Sequence, residues 1–278
     1  MKTLFRVVAL LPLPILHAVG AAIGWLSFLA SPTYRRRFLE NAHQAGYGLA
    51  DISAAVAESG KLIAEVPRLW FGRPVALEWD GAELIEAARA QGRGIVILTP
   101  HLGCFEVTAQ GYASRFGPIT VLYRPARKAW LRDLVDTARG RRNLFTAPTT
   151  LAGVRQMLKA LKAGEAVGLL PDQVPPEGLG VWAPFFGRAA YTMTLSTRLA
   201  QQTGALVLLT WGERLPWGRG YRLHFRPWPN GIAADPAAAA EQVNAAMEGM
   251  IRERPQQYLW GYARYKQPRT DGPAVARL

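Results

Sequence analysis

A histidine and a carboxylate stand close together just past an apolar run. In Gly94-Ile95-Val96-Ile97-Leu98-Thr99, followed by Pro100-His101-Leu102-Gly103-Cys104-Phe105-Glu106, the separation of His101 and Glu106 is five residues. On one uninterrupted helix that spacing turns the two side chains about 140° apart. They can meet only if His101 occupies a turn and Glu106 the first turn of the helix that follows, a start that Pro100 and Gly103 favour. A carboxylate that accepts one ring N–H fixes the imidazole tautomer, and the other ring nitrogen can then take a proton from a hydroxyl. The plainer reading is a histidine that closes the turn, with Glu106 as a favourable charge at a helix N-terminus. Cys104 lies between them. It is either a thiol nucleophile served by His101 or, as free cysteines usually are, a small apolar filler.

Other side chains gather downstream. Arg124, Arg127, Lys128 and Arg132 follow a second apolar run, and Arg139, Arg141 and Arg142 follow the next helical pattern. Arginine forks suit phosphate and carboxylate, and the alternative is a solvated basic face. Asp172 stands past another strand-like run, in Leu170-Pro171-Asp172-Gln173, placed to anchor an arginine or to mark the edge of the site. Val181-Trp182-Ala183-Pro184-Phe185-Phe186-Gly187 reads as a bulky apolar loop, either core packing or a lip for an acyl chain or membrane surface. The four histidines show no metal-ligand spacing, and no glycine loop between a strand and a helix marks a nucleotide site. Neither a metal nor a cofactor is expected.

The elements that must position these groups follow from periodicity. Short buried-looking runs at Gly94–Thr99, Ile119–Tyr123, Ala166–Leu170 and Ala205–Trp211 alternate with helical patterns at Phe105–Arg115, Trp130–Arg139, Leu151–Ala163 and Met193–Thr203. A half-exposed strand at Tyr221–Arg226 and a helix at Ala234–Arg252 follow. This alternation predicts an α/β fold with a mostly parallel central sheet flanked by helices, whose strand-end loops are the usual ligand sites. The expected divisions are 1–30 as a membrane anchor, 31–90 as a helical lead-in, 91–266 as the core and 267–278 as a loose tail.

Composition bounds the rest. Half of the 278 residues are apolar, one is cysteine, and Lys+Arg exceed Asp+Glu by 33 − 20 = 13. That excludes a disordered chain and a disulfide scaffold, and calls for an anionic partner. A basic membrane-surface or nucleic-acid binding module, in the latter case with its nine tryptophans stacking on bases, is the alternative from another functional class. The 24 residues Val7–Ala30 carry no Lys, Arg, Asp or Glu. As a helix they reach about 36 Å, enough to cross a hydrocarbon core of about 30 Å, although Pro12, Pro14 and His17 interrupt a regular span. The segment either spans or lies in the interface; a cleaved signal peptide is the competing reading. Arg35-Arg36-Arg37 after it outweigh Lys2 and Arg6 before it, which favours a cytoplasmic position for the remainder.

His101…Glu106 heads an ordered series. Leu122-Tyr123-Arg124-Pro125, Arg139-Gly140-Arg141-Arg142-Asn143, Leu158-Lys159…Lys162-Ala163-Gly164-Glu165, Pro171-Asp172, Pro184-Phe185-Phe186-Gly187 and Pro255-Gln256-Gln257-Tyr258-Leu259-Trp260…Arg264-Tyr265-Lys266 follow it. In this series the chain resembles the lipid A biosynthesis (lauroyl/myristoyl) acyltransferases, His-x-x-x-x-Glu enzymes related to the glycerolipid acyltransferases. The likeness covers nearly the whole chain. Glu40-Asn41-Ala42 matches the family's lead-in loosely, and Trp260-Gly261-Tyr262-Ala263-Arg264 lacks a histidine often found there. The resemblance implies a glycerolipid-acyltransferase-like fold with an N-terminal membrane helix. It implies transfer of a fatty acyl group from acyl carrier protein to a hydroxyl of a lipid A precursor, at the cytoplasmic face of the inner membrane. His101 would be the general base oriented by Glu106. Arg139 and Asp172, with Arg124 and Arg141, would support substrate or transition state. The expected partners are acyl carrier protein, the lipid A precursor and an anionic membrane surface, not nucleic acid. A related alternative is transfer to another lipid alcohol such as a glycerophosphate.

Overall fold

A computed structural model gives the fold and describes residues 2–123 and 142–270. Numbered among those residues, five helices lead: α1 (Lys2–Val8), α2 (Leu13–Ala30), α3 (Pro32–Gln44), α4 (Leu49–Ala64) and α5 (Val66–Phe71). Then come β1 (Leu77–Asp80), α6 (Ala82–Ala90), β2 (Ile95–Leu98), α7 (Phe105–Arg115), β3 (Ile119–Tyr123), β4 (Leu144–Pro148), α8 (Leu151–Lys162) and β5 (Ala166–Leu169). The chain continues through β6 (Gly180–Phe185), β7 (Arg188–Met193), α9 (Leu195–Thr203), β8 (Leu206–Arg214), β9 (Tyr221–Pro227) and α10 (Pro236–Glu253).

Seven strands form one sheet in the order β1-β9-β8-β2-β5-β3-β4. Every neighbouring pair is parallel except the β8–β9 hairpin, so the α/β fold with a mostly parallel sheet is as expected. The central strands are apolar at every position because helices cover both faces. Along β2 the side chains alternate. Ile95 and Ile97 pack with Ile85, Val107 and Tyr112 beneath α6 and α7, whereas Val96 and Leu98 pack with Met157, Leu161, Leu199 and Met247 beneath α8, α9 and α10.

Three features differ from expectation. Leu144–Pro148 is an edge strand, which its Pro148 tolerates because an edge leaves one row of N–H groups unpaired. The strand β1 comes from the segment read as a helical lead-in and pairs with β9. The bulky apolar stretch is not a loop: β6 and β7 form a two-residue hairpin that turns at Phe186 and Gly187, both with positive φ. Ala183, Phe185 and Phe186 pack into the core, and Trp182 alone of that group's large side chains stays exposed.

The helix α2 is the one described helix long and apolar enough to cross a membrane. One of its faces is already occupied. Gly20 and Gly24 pack directly on α4 at Gly60, where an added Cβ would lie 1.9 Å from the Gly20 carbonyl oxygen. Helix backbones approach this closely only across small residues. His17 on this helix is buried and lies 3.1 Å from the Glu65 carboxylate just past the end of α4. Ile15, Val19, Ile23, Leu26 and Leu29 remain exposed on the other side.

Candidate active site

Strand register builds the site. In the parallel pair β2–β5, Leu98 stands opposite Leu169. His101 and Asp172 each lie three residues beyond those partners, each directly after a proline. Equal offsets from paired parallel strands bring the two side chains together at the carboxyl edge of the sheet. His101 Nδ1 is 2.7 Å from Asp172 Oδ1, and the His101 backbone N–H donates to Asp172 Oδ2 at 2.8 Å. Both carboxylate oxygens therefore hold the same residue, which fixes the ring with its Nδ1–H on Asp172 and its Nε2 lone pair outward.

The turn that carries His101 is clamped through its backbone. Gly103 N–H donates to the Gln257 carbonyl (2.9 Å), Cys104 N–H to the Gly212 carbonyl (2.7 Å), and Leu259 N–H to the His101 carbonyl (3.1 Å). Gly103 has φ +59°, and a Cβ there would sit 2.0 Å from the Gly212 carbonyl oxygen, so no other residue fits. Beneath the turn, Arg214 donates to the Gly103 carbonyl at 2.9 Å and pairs with Glu65 and Glu58. Tyr221 and His17 also contact Glu65. Burial pushes the Glu65 carboxyl up, but Arg214, with His17, outweighs it and holds the group at about 2.

Asp172 is buried as completely as Glu65. Burial pushes its carboxyl up; the His101 ring, its two hydrogen bonds and the Arg264 guanidinium pull it below the usual carboxylate range. The C-terminal segment surrounds this pair. Tyr258 is pushed well up, first by burial and then by Asp172 beside it. The buried Arg264 donates to the Tyr191 carbonyl and to Thr192 Oγ1, both at 2.7 Å. The Val174 N–H donates to Tyr262 Oη at 3.0 Å. Asn41 on α3 in turn donates to the carbonyls of Trp260 and Tyr262, so the loosely matching lead-in motif clamps this segment.

The expected pairing of His101 with Glu106 is replaced by pairing with Asp172. Glu106 does lie in the first turn of α7, but there it accepts from Trp70 Nε1 at 3.3 Å. Cys104 is fully buried in the core beneath α7, and burial followed by Glu65 pushes its thiol well up, so it fills space and is no nucleophile. Arg124, Arg139 and Arg141 lie outside the described residues. Among the described residues no group of three or more His, Cys, Asp or Glu is arranged to hold a metal.

His101, Glu106 and Gln173 share the wall of a cavity of about 640 Å³. The other walls are largely apolar and come from both faces of the sheet: Ile97, Ile119, Val121 and Leu144 on the α7 side, Leu122, Val154, Leu158 and Leu199 on the other. Gly168 lies on the floor with no positive φ and no backbone in contact; a Cβ there would first meet Val121 Cγ1 at 3.2 Å. Its missing side chain leaves space.

A histidine held by a buried carboxylate thus stands at the wall of a largely apolar cavity. The bacterial lipid A biosynthesis acyltransferase profile matches residues 2–267, and the chain belongs to that family. It is 30% identical over 272 residues to the lipid A biosynthesis palmitoleoyltransferase of Escherichia coli, covering 92% of this chain and 86% of that one. To the lauroyltransferase of the same organism it is 27% identical over 280 residues, covering 92% and 87%. The chain is therefore an acyltransferase of lipid A synthesis.

Proposed function

We propose that the chain transfers a fatty acyl group from an acyl carrier protein thioester to a hydroxyl of a lipid A precursor, with His101 as general base. The observation that carries this is the His101–Asp172 pair at the wall of the apolar cavity. Asp172 orients the ring and stabilises the imidazolium that forms. The acceptor oxygen attacks the thioester carbonyl carbon while its proton passes to His101 Nε2. The tetrahedral intermediate collapses with cleavage of the C–S bond, and the departing sulfur takes the proton back. The donor is already activated, so no acyl-enzyme is needed. The first N–H groups of α7, close in sequence to His101, would stabilise the developing oxyanion, and Arg139, which the resemblance assigns to the site, would assist. Glu106 shapes the polar end of the cavity. Arg124 and Arg141 offer forks to acceptor phosphate or to the acidic carrier.

We infer that the enzyme sits on the cytoplasmic face of the inner membrane with α2 lying in the interface. One face of α2 is packed on α4 and its polar His17 is used inside, which leaves an apolar face for lipid. Trp217, in the β8–β9 turn, is 88% exposed and lies near the start of α2, since Gly218 packs on Pro14, the second residue of that helix. Arg6 and Arg219 are exposed and would suit anionic headgroups.

The test is purified protein with a panel of acyl-carrier thioesters and one lipid A precursor, read by mass spectrometry. An acylated precursor made by the wild type and not by folded His101→Ala is expected. Normal product from His101→Ala would reject the base, and no product with any carrier thioester would reject the donor.

A further inference from the structure

The nitrogen that must take the acceptor's proton is already engaged. Gln173 Nε2 lies 3.0 Å from His101 Nε2. The other ring nitrogen has its hydrogen on Asp172, so Nε2 of the neutral ring is a lone pair and the carboxamide N–H donates to it. Asp172 and Gln173 are consecutive, so one strand-end turn grips both edges of the ring. The Val174 N–H bond to Tyr262 Oη fixes the backbone immediately after Gln173, while the Gln173 side chain lies in the cavity wall.

We propose that Gln173 is a positioning residue that caps the lone pair of the base until an acceptor hydroxyl displaces it, and so restrains the enzyme from hydrolysing its own acyl donor. This rests on His101 being the base. Water competes for the same chemistry: its oxygen would attack the thioester carbonyl, its proton would pass to Nε2, and the C–S bond would break to give free fatty acid and carrier thiol. A cap worth one neutral hydrogen bond slows both reactions, but an acceptor held by the cavity displaces it with binding energy that a lone water lacks. After proton uptake the carboxamide can turn its oxygen to Nε2–H, so the ring stays hydrogen-bonded in either state.

The experiment uses the full-length protein with one acyl-carrier thioester, with and without lipid A precursor, measuring free fatty acid and acylated product together. Gln173→Ala is expected to raise hydrolysis relative to transfer by about five- to tenfold, the worth of one such hydrogen bond. Gln173→Glu cannot donate to the lone pair and instead holds Nε2–H, so its pH–rate profile for transfer should move upward by about one unit. A hydrolysis-to-transfer ratio unchanged in Gln173→Ala would overturn the proposal, as would equal loss of both reactions in a folded variant or an unmoved profile in Gln173→Glu. His101→Ala run alongside separates the two readings. If it transfers normally, the base assignment fails and the cap with it; if it is inactive while Gln173→Ala behaves as wild type, only the cap fails.

Discussion

Two buried carboxylates flank the His101 turn, and they do different work. Asp172 lies on its cavity side and Glu65 on its inner side. Both are almost fully buried and both are held below the usual carboxylate range. Glu65 faces Arg214, whose guanidinium is permanently charged and spends its donors on Glu65, Glu58 and the Gly103 carbonyl. Asp172 faces an imidazole, whose far nitrogen opens on the cavity. The same burial that makes a rigid strut with arginine would, in the proposed mechanism, make a proton acceptor with histidine, and the strut braces the turn that carries it.

The sharpest way to break this contrast is to remove each pair in turn. Loss of the proposed base, in His101→Ala, should lower transfer by about 10²–10⁴-fold in a protein whose melting temperature is little changed. Arg214→Ala should act first on stability. Leaving Glu65 buried without its partner should cost about 3–5 kcal/mol, read by denaturant unfolding. Acid titration of stability sharpens the same point. The Glu65 carboxyl is depressed from 4.5 to about 2. Its contribution is therefore present above about pH 4.5 and is lost as the pH falls toward 2, a loss that Glu65→Gln should not show.

Smaller effects probe the cavity and the surface. Gly168→Val fills the cavity floor and should shift donor preference toward shorter chains by about tenfold, since one methylene is worth about 1–3 kcal/mol of discrimination. The reading is relative rates across the acyl-carrier panel. Trp217→Ala should weaken partition onto anionic vesicles by about fivefold, equivalent to half-burying one large side chain, and leave the rate in detergent unchanged.

The residues themselves announced much of the fold. Runs such as Ile95–Leu98 and Ala166–Leu169 read as strands covered on both faces, which puts His101 just past a strand end. The partner of His101 is not legible from spacing, since the carboxylate nearest in sequence on that turn is Glu106. Asp172 is 71 residues away, and only the register of β2 against β5 shows that the two stand level. A signal was present: Thr99-Pro100-His101 and Leu170-Pro171-Asp172 end their strands alike. The β6–β7 hairpin was illegible because its turn uses Phe186 at positive φ, where glycine or asparagine would have marked it. The role of Tyr258, Tyr262 and Arg264 rests on contacts between distant segments that no local pattern encodes.

In the proposed mechanism His101 and Asp172 act as one unit. A double-mutant cycle on the transfer rate tests it most directly, using His101→Ala, Asp172→Ala and the double variant, each confirmed folded. Residues that act together are strongly non-additive, so the double variant should be no slower than His101→Ala alone. Losses that multiply would show Asp172 working independently of His101 and would contradict the pairing as the heart of the site.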